Sequence, residues 1–228
     1  NQELDPLVWQ HLASGQYPVG YRVMHLYDNT RTMTPPSPAD SEHQKVAATA
    51  RPVQISIWYP AAENDDGTPI VRIDYFLATL TQYDFNTWQG TSREDKIAEM
   101  RRRSGAAFPQ DRFNALAHEP THARLDARPG SGPFPLIVYG TGGGSEPWEN
   151  YVLFEYLASH GYVIATCPSY GTYDFEMEDN DRGIETKFRD MAFILAQMLD
   201  EPYVDAEKIC AAGWSWGSRP MRASGSKA

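Results

Sequence analysis

In the first third of the chain, apolar and polar positions alternate with the two-residue period of a β-strand. Within residues 53–59, Val53, Ile55, Ile57 and Tyr59 alternate with Gln54, Ser56 and Trp58, and Pro60 closes the run. Residues 21–27 read as a second strand. Between them, residues 29–51 hold Pro35, Pro36 and Pro38 among many polar residues, which predicts a long surface connection. Asn64-Asp65-Asp66-Gly67 predicts a turn. From about residue 71 to 118 the strand rhythm stops. Thr91-Ser92-Arg93-Glu94 has capping-box spacing, and helix-forming composition runs on to Arg103, ended by Gly105. Phe76, Leu77 and Leu80 predict a shorter helix before it, and residues 113–116 another after it. The segment reads as a helical insertion, a candidate wall over an active site.

From Phe134 the pattern becomes strand, helix, strand, helix, strand. Residues 135–139 are continuously apolar, as in a strand buried on both faces. Residues 148–159 predict a helix with Gly161 just past its end, and residues 162–167 the next buried strand. Residues 184–199 predict the clearest helix, with Ile184, Phe188, Met191, Leu195 and Met198 on one amphipathic stripe. A short strand follows at 209–212. Alternating strands and helices imply an α/β fold with a mostly parallel sheet and right-handed crossovers.

The 228 residues, 41% hydrophobic, suit one core, so 1–228 reads as a single domain. A formal net charge of −10 argues against nucleic acid or an anionic membrane surface as partner. No apolar run approaches the roughly 20 residues that span a bilayer. The chain opens on Asn1 with no visible signal peptide. A leader already removed would make the protein secreted or periplasmic; otherwise it is expected in the cytoplasm. Cys167 and Cys210 are too few for a disulfide framework, and no Cys/His cluster has zinc spacing. The acidic run Asp174, Glu176, Glu178, Asp179 and Asp181 reads as a solvated loop near a helix start, since it lacks the spacing of a calcium loop.

Candidate chemistry lies at Gly213-Trp214-Ser215-Trp216-Gly217, which reads G-x-S-x-G directly after a predicted strand. That is the context of a nucleophile elbow, where a serine sits on a tight strand-to-helix turn and glycines let backbone segments crowd together. A serine hydroxyl also needs a base and an oxyanion site. Gly140-Thr141-Gly142-Gly143-Gly144-Ser145, after the apolar strand, offers the second part. The backbone N–H of Trp216 and of Gly143, with Gly142 as the near alternative, are the expected oxyanion donors. The glycine run lacks the Gly-Lys-Ser/Thr ending of a phosphate-binding loop. Trp148, Tyr170, Tyr173, Trp214 and Trp216 are candidates for an acyl pocket, with core packing the preferred role for Trp214.

Taken together, several strings carry a family resemblance. They are Tyr17-Pro18-Val19-Gly20, the run from Arg51-Pro52-Val53 through Trp58-Tyr59-Pro60-Ala61, the glycine loop, Leu157-Ala158-Ser159-His160-Gly161-Tyr162, and the elbow. The sequence resembles the α/β-hydrolases related to platelet-activating-factor acetylhydrolase and dienelactone hydrolase. The resemblance implies cofactor-free hydrolysis of small or lipid-like carboxylic esters through an acyl-enzyme on Ser215. It departs from the family at Thr141-Gly142, where relatives often carry His-Gly. It also departs after the elbow, where the family has a buried helix and this sequence has a poor amphipathic pattern from Arg219 to Ala228.

In such a fold the acid and histidine follow the serine in chain order, yet residues 218–228 contain no Asp, Glu or His. The resemblance therefore implies the N-terminal part of a hydrolase domain, without its last strands, its acid and its histidine, and inactive by itself. An unpaired sheet edge, marginal stability and association with another chain are expected to follow. Of the six histidines, His160 reads as a helix-end residue and His118 and His122 as surface residues; His11, His25 and His43 also precede the serine. Alternatives to the esterase are a peptidase of the prolyl-oligopeptidase type, whose elbow is similar, and a non-catalytic binding form.

Overall fold

The computed structural model describes residues 12–33, 48–63, 67–104, 109–173 and 176–221. Seven strands form one sheet: β1 (Val19–Met33), β2 (Thr49–Pro60), β3 (Thr68–Val71), β4 (Pro120–Leu125), β5 (Phe134–Gly140), β6 (Val163–Cys167) and β7 (Val204–Gly213). Their spatial order is β3-β4-β1-β2-β6-β5-β7. β1, β4, β5, β6 and β7 run one way; β2 and β3 run the other. The helices are α1 (Arg72–Ala78), α2 (Arg93–Ser104), α3 (Gln110–Ala117), α4 (Tyr151–Ser159) and α5 (Asp181–Met198). The fold is α/β with a mixed, mostly parallel sheet, as the alternation implies.

β2 carries the alternation to both sides of the sheet. Val53, Ile55, Ile57 and Tyr59 join a core with Leu136, Val163 and the α5 residues Ile194 and Met198. Trp58 joins Tyr21, Tyr75, Phe154 and Ile164 on the opposite face. The polar members of the repeat, Gln54 and Ser56, are buried too, because helices cover both faces. The connection expected over 29–51 is shorter than its composition suggests. β1 extends to Met33 and β2 starts at Thr49, while 34–47 fall outside the described residues. Arg51 is buried, since its guanidinium bonds both carboxylate oxygens of Asp190 at 2.8 and 2.7 Å. Asn64, Asp65 and Asp66 of the predicted turn are also outside the described residues.

The short strands β3, at the sheet edge, and β4, beside it, have no clear period; Pro69 is tolerated on an edge strand and Pro120 as the first residue of its strand. Between them run α1, α2 and α3. The start of α2 lies one residue later than the capping-box reading. Ser92 Oγ accepts the Asp95 N–H at 3.1 Å and donates to the Asp95 carboxylate at 2.8 Å.

α4 ends as its sequence predicts. Gly161 has φ +94°, its N–H bonds Ala158 O, and the Tyr162 N–H reaches Leu157 O, the paired bonds of a Schellman end. α5 departs from its apolar stripe. Met191 and Met198 face the core, but Phe188 is exposed and Ile184 and Leu195 are half-buried. The buried face instead carries Gly183, Lys187, Asp190 and Ile194. Polar partners in other elements turn the helix: Asp190 holds Arg51 and Arg31, and Lys187 reaches the end of β6. Groups paired in this way can be buried without the cost of an orphaned charge.

β5 lies between β6 and β7, so Cys167 at the end of β6 and Cys210 on β7 are separated by a strand, and both thiols are free.

Candidate active site

β7 delivers the elbow at the C-terminal edge of the sheet. The Trp214 N–H bonds Gly140 O at 3.1 Å, tying the strand exit to the end of β5. Ser215 follows with φ +49°, and a single 3₁₀ turn, Ser215–Ser218, begins there. That left-handed conformation costs a non-glycine residue about 1–3 kcal/mol. It lifts the side chain off the strand, and Ser215 is exposed. The turn is locked by Gly217 N–H to Trp214 O at 2.9 Å and by Ser218 Oγ to Ser215 O at 2.7 Å.

The glycines of the motif are demanded by packing. A Cβ at Gly213 would lie 2.5 Å from Gly217 O and 2.7 Å from Met221 Cε. One at Gly217 would run into the carbonyl oxygens of Gly140 and Thr141. The elbow is thus seated on the first residues after β5.

Those residues form the second half of the site. Thr141 is fully buried; its Oγ1 donates to Cys167 O at 3.0 Å and accepts from Lys187 Nζ at 2.9 Å. Thr141 therefore finds its partners within the protein. The Gly142 N–H is taken by the Glu149 carboxylate at 3.0 Å, and Gly142 O accepts the Ser145 N–H in a turn. Gly143 is exposed and packs on Trp216, whose Cβ would be 3.4 Å from a Cβ at Gly143. Among the described residues neither the Gly143 nor the Trp216 amide has a backbone acceptor. Gly143 thus packs on Trp216, the residue after Ser215, while the Gly142 amide, the alternative, is already engaged.

The aromatic expectations divide. Trp216 is buried, its indole N–H donating to Asp179 Oδ1 at 3.3 Å, and Arg219 also pairs with Asp179. Tyr170 is buried, Trp148 stacks on Phe76 and Tyr173 is exposed. Trp214 is 64% exposed, which corrects its expected place in the core: it stands just past the exit of the edge strand β7 and is left open among the described residues. The acidic loop is more engaged than a solvated run. Glu178 accepts from the Thr172 amide and hydroxyl, Asn180 caps α5, and Asp179 braces the elbow; Asp174 is outside the described residues.

The α1–α3 segment reaches this edge through Gln82, which donates to Glu146 of the glycine loop and accepts from the Tyr170 hydroxyl. Burial pushes the Glu146 carboxyl up from its ordinary value, against the opposing effect of the Gln82 bond. Sequence reasoning missed Gln82, Glu146 and Lys187, because each acts through a partner distant in sequence, and Glu149, whose partner is a loop amide rather than a side chain.

No described histidine is brought to Ser215. His160 lies at the end of α4, which leads into the opposite edge of the sheet, and bonds Tyr156 O at 2.8 Å. His118 bonds Asn114 O on its own helix turn. His25 on β1 is four strand steps from β7, about 19 Å at about 4.8 Å per step. His122, expected at the surface, is a half-buried member of β4, one step farther. His11 and His43 are outside the described residues. Among the described residues no group of three or more His, Cys, Asp or Glu is gathered to hold a metal ion, and no helix is long and apolar enough to cross a membrane.

Neither a family model nor a curated protein sequence matches the chain. Eleven chains of solved structure do match. One is a ferulic acid esterase from Streptomyces cinnamoneus, 22% identical, with a TM-score of 0.58 over 93% of this chain. This chain spans 58% of the length of that structure. The likeness is one of fold: both chains have an α/β fold.

Proposed function

We propose that this chain carries the nucleophile and oxyanion half of a serine carboxylic-ester hydrolase. The observation that carries the reading is Ser215, held at φ +49° on the strand exit, followed by Trp216, on whose side chain Gly143 packs. The esterase fold of the structural neighbour supports it, as do the sequence strings resembling acetylhydrolases and dienelactone hydrolases. Small or lipid-like esters are the substrate class that resemblance implies.

In the reaction, Ser215 Oγ attacks the acyl carbon while its proton passes to a base. The carbonyl oxygen becomes an oxyanion, held by the Trp216 and Gly143 N–H groups. Collapse expels the alcohol and leaves an acyl-Ser215 ester, which water then cleaves. Oriented donors at such a site are worth about 2.7–4 kcal/mol each. Among the described residues no histidine stands at the serine, and loss of the base lowers turnover on the order of a million-fold below that of a complete triad.

The test supplies the base from solution. Residues 1–228 are incubated with p-nitrophenyl acetate and increasing imidazole, and the Ser215 peptide is followed by mass spectrometry. An acetyl group accumulates on Ser215 in proportion to free imidazole and is absent from Ser215→Ala. A Ser215 peptide that stays unmodified at all imidazole concentrations overturns the reading.

A further inference from the structure

Lys187 has no role in the chemistry above, yet it occupies the centre of the structure beneath the site. Its side chain is fully buried on the sheet-facing side of α5. Nζ donates to Thr141 Oγ1 at 2.9 Å, to Cys167 O at 3.3 Å and to Pro168 O at 3.5 Å, and lies 3.9 Å from Cys167 Sγ. Each of these bonded partners is a neutral oxygen. The nearby carboxylate of Asp190 is engaged by Arg51 and Arg31. A buried ammonium without its own carboxylate is expensive, and a core built for stability alone would fill this space with an apolar side chain.

The three segments that Lys187 joins converge on the reacting edge. Thr141 is the first residue after β5, Cys167 ends β6 with Pro168 next to it, and α5 underlies both. Thr141 is also the platform for the elbow, because Gly217 packs on the carbonyl oxygens of Gly140 and Thr141. Displacing Thr141 therefore moves both oxyanion donors at once, Gly143 through the loop and Trp216 through the elbow.

We propose that Lys187 is a positioning residue of the oxyanion site: its ammonium pins Thr141 to the end of β6 and thereby sets the Gly143 and Trp216 amides. The hydroxyl of Thr141 is the relay. This rests on the esterase reading, but the geometry it asserts can be measured without turnover.

Two readouts are taken on wild type, Lys187→Met, Thr141→Val, Thr141→Ser and the Lys187→Met/Thr141→Val double variant. The first is amide hydrogen exchange. In Lys187→Met and Thr141→Val, exchange quickens across 141–146 and 214–218 while the interior of β5 and β6 keeps its protection. Thr141→Ser, which retains the hydroxyl, behaves as wild type. The second is imidazole-supported acetylation of Ser215. Its rate at saturating ester falls about tenfold to a hundredfold in either single variant, the scale for a misplaced catalytic geometry. The double variant falls no further, and the ester concentration giving half-maximal rate is unchanged.

Unaltered exchange at both loops in Lys187→Met overturns the proposal, as does acetylation as fast as wild type. Loss of protection throughout β5 and β6 also overturns it, since Lys187 would then serve the whole fold. A wild type that never acetylates refutes the esterase reading instead, and exchange alone then decides whether Lys187 holds the loop.

Discussion

β6 and β7 are both parallel neighbours of β5, and their paired stretches have similar composition, Val-Ile-Ala-Thr-Cys in one and Ile-Cys-Ala-Ala-Gly in the other. Every residue of β6 is buried, whereas β7 is exposed from Ala206 through Ala211. The contrast reaches the cysteines, Cys167 buried and Cys210 exposed. The difference lies in the neighbours. β6 is bracketed by β2 and β5 and covered by α4 and α5; among the described residues β7 pairs with β5 alone. Beside β7, the outer side of α5 and the residues after the elbow leave an apolar hollow of about 190 Å³, with Phe188, Leu195, Ile209 and Met221 in its wall. An apolar strand is buried by what packs around it, and its own residues supply only half of that.

Thiol labelling tests this contrast at its widest. In the folded protein Cys210 reacts with a maleimide as an accessible thiol. Cys167 reacts at least about a thousandfold more slowly, because it must wait for an opening that costs several kcal/mol. Burial also pushes its thiol up, so less thiolate is present at neutral pH. Timed labelling with peptide mass spectrometry measures both rates, and comparable rates would mean that β6 is not shielded.

Truncation of matched isoleucines sharpens the comparison. Ile164 on β6 is 0% exposed and Ile209 on β7 is 42% exposed. Ile164→Ala is expected to cost about 2–5 kcal/mol through lost burial and a residual cavity. Ile209→Ala is expected to cost under about 1 kcal/mol. Urea unfolding of the two variants gives the difference, and equal losses would refute the asymmetry.

The smallest effect concerns the open face itself. Phe188→Ser and Ala211→Lys place polar groups on α5 and on the edge strand. Each is expected to change stability by no more than about 1 kcal/mol, while Ala211→Lys lowers self-association by charging the edge. Light scattering at rising protein concentration follows the association. A loss of several kcal/mol from Phe188→Ser would show that this face is already packed in solution.

Much of the fold and the Ser215 turn of the candidate site were legible in the sequence. The alternation in β2, the apolar run of β5 and the Gly161 helix end each depend on local chemistry, and each stands where the pattern puts it. The G-x-S-x-G motif was legible because its glycines answer to close backbone contacts that no other residue permits. β3 and β4 were not legible, being short strands without a period. The orientation of α5 was not either: Lys187 and Asp190 look like solvent-facing charges until Thr141, the end of β6 and Arg51 are placed opposite them.

What the sequence by itself determined is therefore the set of elements, the α/β alternation and the place of the Ser215 turn, all governed by residues within a few positions of each other. Only the tertiary structure decided which N–H groups stay available at the glycine loop, with Gly142 held by Glu149 and Gly143 set against Trp216. It also decided which charged side chains lie inside and which apolar strand stays open. Those outcomes depend on pairs of groups far apart in the chain, and the free energy of burying a charge or an apolar surface is defined only when both members of the pair are in place.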